Sequence, residues 1–220
     1  MKAPLFIMIA MLLATGLALY IAKKNLSQPT QNSLNGITNI LEQRHSGYSF
    51  DPNKKVSQDN ITSLIKAAQL TPSSYNEQPW NFIICDKSTS LDAYTKTLSS
   101  LAEANQKWAK DAQLLVVVTT SKNSVINNEP NPWAEYDTGA AALSMSIQAT
   151  ALGLMTHQMA GFDRAKITEF LALPTNVIPM SIIAIGYEDL TRSKAQPRQR
   201  KQTHENFFQG AWGRTNSNWK

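Results

Sequence analysis

A single cysteine among 220 residues leaves no intramolecular disulfide to form, so the chain is not a disulfide-stapled secreted scaffold. Cys85 sits in the apolar run NFIICD, where a small buried hydrophobe is its expected role. Histidine is almost as scarce. His45, His157 and His204 are scattered, none has a partner at metal-ligand spacing, and no metal site is read. There is no G-x-S-x-G elbow, no Walker-type phosphate loop and no G-x-G-x-x-G turn. The acids are dispersed, and helical spacing forces no two carboxylates together. No repeat or low-complexity block is present. These absences argue against a chain that builds its own nucleophile or acid–base pair, and no catalytic side chain is assigned. Neutral donors and acceptors beside proline and glycine remain, a pattern suited to holding a cofactor that carries the chemistry.

Acidic charge is also in short supply, with 16 Asp+Glu against 21 Lys+Arg and a net charge of +5. The excess is concentrated in TRSKAQPRQRK, residues 191–201, where Arg192, Lys194, Arg198, Arg200 and Lys201 have no acid among them. Such a run is a solvated face or an attraction for anions. No aromatic interleaving accompanies it, so nucleic acid is not the expected partner. A bound phosphate group accounts for the same residues more simply.

One long apolar run is present. Nineteen residues, Pro4 to Ala22, carry no charge and lie between Lys2 and Lys23-Lys24. About 20 apolar residues span a bilayer as a helix. A cleaved signal has a shorter apolar core, and this run continues past its candidate cleavage site at Gly16-Leu17-Ala18. Residues 1–24 are therefore expected to be an uncleaved membrane anchor, with a cleaved signal as the alternative. Flanking lysines balance one another and leave the side of the membrane open. Residues 25–32, NLSQPTQN, form a polar linker, and a soluble domain runs from 33 to 220.

Within that domain Ser33 is expected to cap a first helix with Leu34, Ile37, Ile40 and Leu41 on one face, and Ser57 a second with Ile61, Leu64, Ile65 and Ala68 on one face. NFIICD, residues 81–86, reads as a strand, and 90–108 as one helix. LLVVVTT (114–120) and MSIIAIGY (180–187) are β-branched runs of the kind buried on both faces of a sheet. Between them come a polar loop (121–135), a helix of small residues (136–154) and a helix capped by Asp163. The fold class is α+β in α/β/α layers: a small mixed sheet covered by helices.

Four stretches carry polar chemistry at element ends: EQRHSGYSF (42–50), TPSSYNEQPW (71–80), ANQKWAKDA (104–112) and HQMAGFD (157–163). Each has a plain structural reading. Arg44-His45-Ser46 can be a solvated helix end, Asn105 an ordinary cap, Gly161 a turn that needs positive φ, and Trp80, Trp108 and Phe162 core. Together, in this order, they resemble the nitroreductase family of FMN-dependent flavoproteins. The resemblance rests on Arg44, His45, Ser46 and Phe50; on Pro72, Ser73, Ser74, Asn76, Gln78, Pro79 and Trp80; on Asn105-Gln106-Lys107-Trp108, Gly153-Leu154 and Gly161-Phe162-Asp163; and on Arg198-Gln199-Arg200.

The resemblance implies a nitroreductase-like fold, an intertwined homodimer, FMN as cofactor and NADH or NADPH as reductant. It implies that Arg44, Ser46, Arg198 and Arg200 hold the FMN phosphate and ribityl chain, with His45 on the ribityl or the pyrimidine edge. Pro72, Ser73, Ser74 and Asn76 would come from the partner subunit to line the ring. Asn105 would meet the pyrimidine edge, and Gln158, Met159, Ala160 and Gly161 would lie beside N5. The acceptor would be a nitroaromatic, a quinone or a similar electron-poor molecule, reduced in a ping-pong cycle. The loop before the small-residue helix, with Trp133 and Tyr136, is expected to shape its pocket. Three departures bear on this. Tyr48 stands where the family has a second basic residue, Gln202 and Thr203 where it usually has Pro-Leu after the tail arginine, and Ala160 where some members have an acid. A flavin-processing or deiodinase-like member, and a non-catalytic membrane-tethered module, remain alternatives.

Overall fold

The structure is a computed structural model and describes residues 39–194 and 197–219. The expected anchor, linker and Ser33 cap lie outside the described residues. Among those described, no helix is long and apolar enough to cross a membrane.

Four strands form one sheet in the order β1-β2-β4-β3: β1 (Trp80–Asp86), β2 (Leu114–Ser121), β3 (Met155–Met159) and β4 (Val177–Gly186). Every pairing is antiparallel, so the sheet is not mixed as expected. Continuous apolar runs cannot report strand direction, because burial on both faces erases the alternation that distinguishes the two arrangements. Strand β3 is absent from the sequence reading. Its MTHQM has one β-branched residue, and what makes it a strand is its ladder to residues 182–186 of β4. Pro179 sits inside β4 without an N–H to donate, and the register slips at this point, Val118 facing Ser181 while Thr119 faces Pro179.

Period-two alternation divides the core between the sheet's faces. Leu114, Val116, Val118, Ile183 and Ile185 pack against helices α2 (Gln58–Gln69) and α5 (Ala134–Ala151) through Leu64, Ala68, Ala141, Met145 and Ala149. Leu115, Val117, Ile182, Ala184 and Cys85 face the other way. They meet Tyr94 of α3 (Leu91–Ser100), Ala109 of α4 (Glu103–Ala109) and Ile167 of α6 (Arg164–Phe170). The layered α/β/α class is as expected, and Cys85 is buried. Ser57 caps α2 by accepting from Asn60 N–H at 3.2 Å, and Asp163 caps α6 by accepting from Lys166 N–H at 3.1 Å.

The expected single helix over 90–108 is two. Leu101 pairs with Phe162 as an isolated antiparallel bridge, and Ala102 takes an extended backbone that breaks the helix. A short helix α1 (Asn39–Gln43) precedes the RHSGYSF segment, and a single turn α7 (Thr203–Asn206) lies in the tail.

Candidate functional site

Residues 44–51 leave α1 and run extended alongside 187–189: Asp51 N–H donates to Tyr187 O, Asp189 N–H to Ser49 O, and Phe50 bridges Glu188. These bonds anchor the 49–51 end of the segment, while Ser46 and Tyr48 before it are exposed. Gly47 packs tightly, since a Cβ there would collide with Met155 Sδ. Its carbonyl accepts from His157 Nδ1 at 3.0 Å. Burial holds the His157 imidazole below its usual pKa, so it stays neutral and Nδ1–H is the donor. The rings of His157, Trp108 and Tyr48 lie together, with centroids 4.6 Å apart for the first pair and 5.3 Å edge-to-face for Trp108 with Tyr48. Tyr48 is the outermost and is exposed.

Three guanidiniums converge at the start of this segment. Burial, then the charges of Arg198 and Arg200, hold Arg44 below the usual arginine range. None of the three is in an ion pair among the described residues. They are not equivalent. Arg198 donates to the carbonyls of Leu41, Glu42 and Arg44, closing the C-terminus of α1 where carbonyls are left without helical partners. Among the described residues Arg200 bonds its neighbour's carbonyl, Gln199 O, and no other. Arg198 thus has a structural task that its sequence position did not announce. His45 Nε2 lies 3.2 Å from Glu188, and Ser46 is exposed beside it.

Asn105 and Gly161 are neighbours. Ala102 N–H donates to Gly161 O at 2.8 Å, and the Asn105 amide reaches the same carbonyl at 3.4 Å. Gly161 does not have positive φ, contrary to the turn reading. A Cβ here would lie 3.3 Å from Asn105 Nδ2 and 3.5 Å from Ala102 Cβ, a close approach that the Asn105 amide would have to yield to. An open depression of about 410 Å³ is lined by Ser100, Ala102, Gln106, Ala160, Gly161 and Lys166, among others. Met159 is buried, Ala160 exposed, and Gln158 turns to the α5 side, donating to Ser146 Oγ at 3.1 Å. Helix α4 is fixed from behind by the Tyr94 hydroxyl, which faces the carbonyls of Ala109, Lys110 and Ala112 at 3.1, 3.2 and 2.8 Å.

The 71–80 turn stands apart. Among the described residues its bonds run to α2, β1, the 121–135 loop and α5, and none reaches Arg44, Asn105 or Gly161. Ser74 N–H donates to buried Asp137 at 3.0 Å, and Pro72 and Asn76 are exposed. Trp133 and Tyr136 project, exposed, at the start of α5. Trp80 packs on the first half of the core, and Trp108 and Phe162 on the second, as their plain reading expected. Gly47 and His157 were missed as residues that shape the site. A glycine between Ser46 and Tyr48 was the one signal available for Gly47; nothing local marks His157.

A model described as the nitroreductase family matches residues 41–187. A solved structure described as an oxidoreductase containing FMN is 30% identical, with a TM-score of 0.66 over 74% of this chain and 82% of its own. A Staphylococcus haemolyticus protein named a candidate NAD(P)H nitroreductase is 26% identical over 196 residues, 69% of this chain and 88% of its own. An oxygen-insensitive NADPH nitroreductase of Helicobacter pylori is 34% identical over 85 residues, 39% of each chain.

Proposed function

Because the chain belongs to the nitroreductase family, we propose that it is an FMN-dependent oxidoreductase that uses NADH or NADPH to reduce an electron-poor nitroaromatic, quinone or similar acceptor. The observation that carries this reading is the convergence of Arg44, Arg198 and Arg200 with no acid paired to them. Like charges held this close call for an anion, and planar guanidiniums suit a phosphate bidentately. When bound, FMN would supply the hydride chemistry, taking hydride from NAD(P)H and delivering it to the acceptor that replaces it in the same cleft.

The chain's own residues bind and orient. Arg44 and Arg200 would hold the phosphate, Arg198 would keep the end of α1 in register for them, and Ser46 and His45 would meet the ribityl chain. Asn105 would offer its amide to the ring's polar edge, held by its contact with Gly161 O. The exposed Ala160-Gly161 backbone, open because residue 161 has no side chain, would let the ring approach closely. Met159 would support that turn from the core, and Gln158 would steady β3 against α5. Tyr48, in place of a cation, gives this edge an aromatic rather than a charged neighbour.

In this reading the chain works as a homodimer in which Pro72, Ser73, Ser74 and Asn76 of one protomer line the site of the other. That arrangement accounts for a turn so separate from the other site residues within one chain. Residues 1–24 would tether the flavin domain of residues 33–220 to a membrane, and the full chain is expected in the membrane fraction. The deciding experiment is an absorption spectrum of the purified protein. Flavin bands that bleach under anaerobic NADH or NADPH support the reading. A colourless protein that resists FMN reconstitution overturns it.

A further inference from the structure

The 71–80 turn is held at a backbone cost. Tyr75, Asn76 and Gln78 have φ of 51°, 56° and 48°, the left-handed region that residues bearing a Cβ seldom occupy. Such strain persists only when surrounding bonds over-determine it, and those bonds can be followed. Ser73 Oγ accepts from Gln78 N–H at 3.0 Å, and Ser74 N–H donates to Asp137 at 3.0 Å. Glu77, between the strained residues, points away from the turn. One carboxylate oxygen accepts from Ser124 Oγ at 2.7 Å and the other from Asn131 Nδ2 at 3.0 Å.

Ser124 and Asn131 stand on opposite arms of the 121–135 loop. The arms are joined by an Asn123–Pro130 bridge and by bonds from Ser124 N–H to Glu129 O and from Asn131 N–H to Lys122 O. The loop tip, Val125 and Ile126, is 75% and 67% exposed, and Ile126 N–H donates to Ser124 Oγ at 3.1 Å, so the tip hangs from the residue that Glu77 holds. Its second arm leads directly into Trp133 and the first turn of α5. The carboxylate therefore grips both arms at once.

We propose that Glu77 is a positioning residue that clips the 121–135 loop to the strained turn and so sets where Trp133 and Tyr136 stand for the electron acceptor. This rests on the reading of the chain as a flavin oxidoreductase for its acceptor arm, though not for the clip itself. Glu77 touches no reacting atom, and the two bonds ask for geometry rather than charge. Glutamine can accept from Asn131 and donate to Ser124 Oγ, whereas alanine can do neither.

The test compares the full chain with its Glu77→Ala and Glu77→Gln variants. The first readout is tryptic cleavage after Lys122, followed by mass spectrometry; the second is the acceptor's KM and kcat at measured FMN content. Glu77→Ala should speed that cleavage about tenfold, the population change that follows loss of one or two hydrogen bonds of ordinary net strength. It should also raise the acceptor KM several-fold while kcat and FMN content stay unchanged. Glu77→Gln should restore both readouts. Cleavage in Glu77→Ala at the wild-type rate, or a Gln variant that behaves like the Ala variant, overturns the proposal. If Glu77→Ala does not fold, the double variant Ser124→Ala, Asn131→Ala removes the same bonds together with the acceptors of Ile126 N–H and Trp133 N–H, and unchanged cleavage there overturns it equally. A preparation that binds no flavin leaves the cleavage result standing, and the functional reading alone then fails.

Discussion

Replacing Tyr94 with phenylalanine should destabilise the protein by about 1–3 kcal/mol, the cost of removing a buried donor from carbonyls left without it. Tyr94 is 2% exposed, and its hydroxyl is shared by Ala109 O, Lys110 O and Ala112 O, the group of carbonyls that ends α4. Phenylalanine keeps the ring's packing, so no cavity contributes to the loss. For a chain of this size each kcal/mol lowers Tm by about 2–4 °C, which predicts a fall of roughly 2–12 °C. Thermal and urea melts followed by circular dichroism measure it, with an unchanged urea m-value confirming that neither end state changed in extent. The effect also has a pH signature. Burial, and then the charge of Asp111, push the Tyr94 hydroxyl well above its ordinary value. Its folded-state pKa is raised, so its contribution is full below about pH 10 and declines above, where the unfolded chain releases a proton that the folded chain keeps. The gap between wild type and Tyr94→Phe should therefore narrow between about pH 9 and 11. A Tm change near zero at neutral pH, or a gap that is constant or widens with alkali, would refute the reasoning.

The two tail arginines should separate binding from folding. Arg200→Ala removes a side chain bonded only to its neighbour's carbonyl, so stability should change by no more than about 0.5 kcal/mol. FMN affinity should fall roughly ten- to a hundredfold, as for loss of a charge-assisted contact, read by flavin-fluorescence titration. Arg198→Ala should instead lower both Tm and FMN affinity, because it opens the end of α1 as well. His157→Phe addresses acid. With the folded-state imidazole held below its usual pKa by burial, wild-type stability should decline as pH falls below about 6.5, where the unfolded chain takes up a proton that the folded chain resists. The variant should lack that decline in urea melts at pH 7.5 and 5.5, and an identical decline would remove His157 from the account.

What could be read from the sequence was whatever local chemistry decides. Ser57 and Asp163 cap the helices they precede, because a short oxygen-bearing side chain at that position has few other uses. LLVVVTT is a buried strand because nothing else shelters so many branched residues in succession. Other features depend on distant residues. MTHQM is a strand through its pairing with β4, and no pattern within five residues could say so. Arg198 reads as a phosphate ligand until the carbonyls of Leu41, Glu42 and Arg44 are found beside it. Nothing in its own decapeptide marks Glu77, on which the arms of a loop some fifty residues away close.

The largest misreading and the candidate site have one cause. SSLAEANQKW has unbroken helical propensity, and only the bridge from Leu101 to Phe162 makes the chain extended at Ala102. That same bridge draws the 160–163 turn against the start of α4. Ala102 N–H then reaches Gly161 O, and the Asn105 amide comes to the same carbonyl. A continuous helix over 90–108 would carry Asn105, expected at the ring's pyrimidine edge, past the turn that holds Gly161, expected beside N5. Local propensity is overruled at the point where two distant segments must be brought together, and such conflicts are expected to gather where function needs them. The break at Ala102 therefore belongs to the candidate site, beside Asn105 and Gly161.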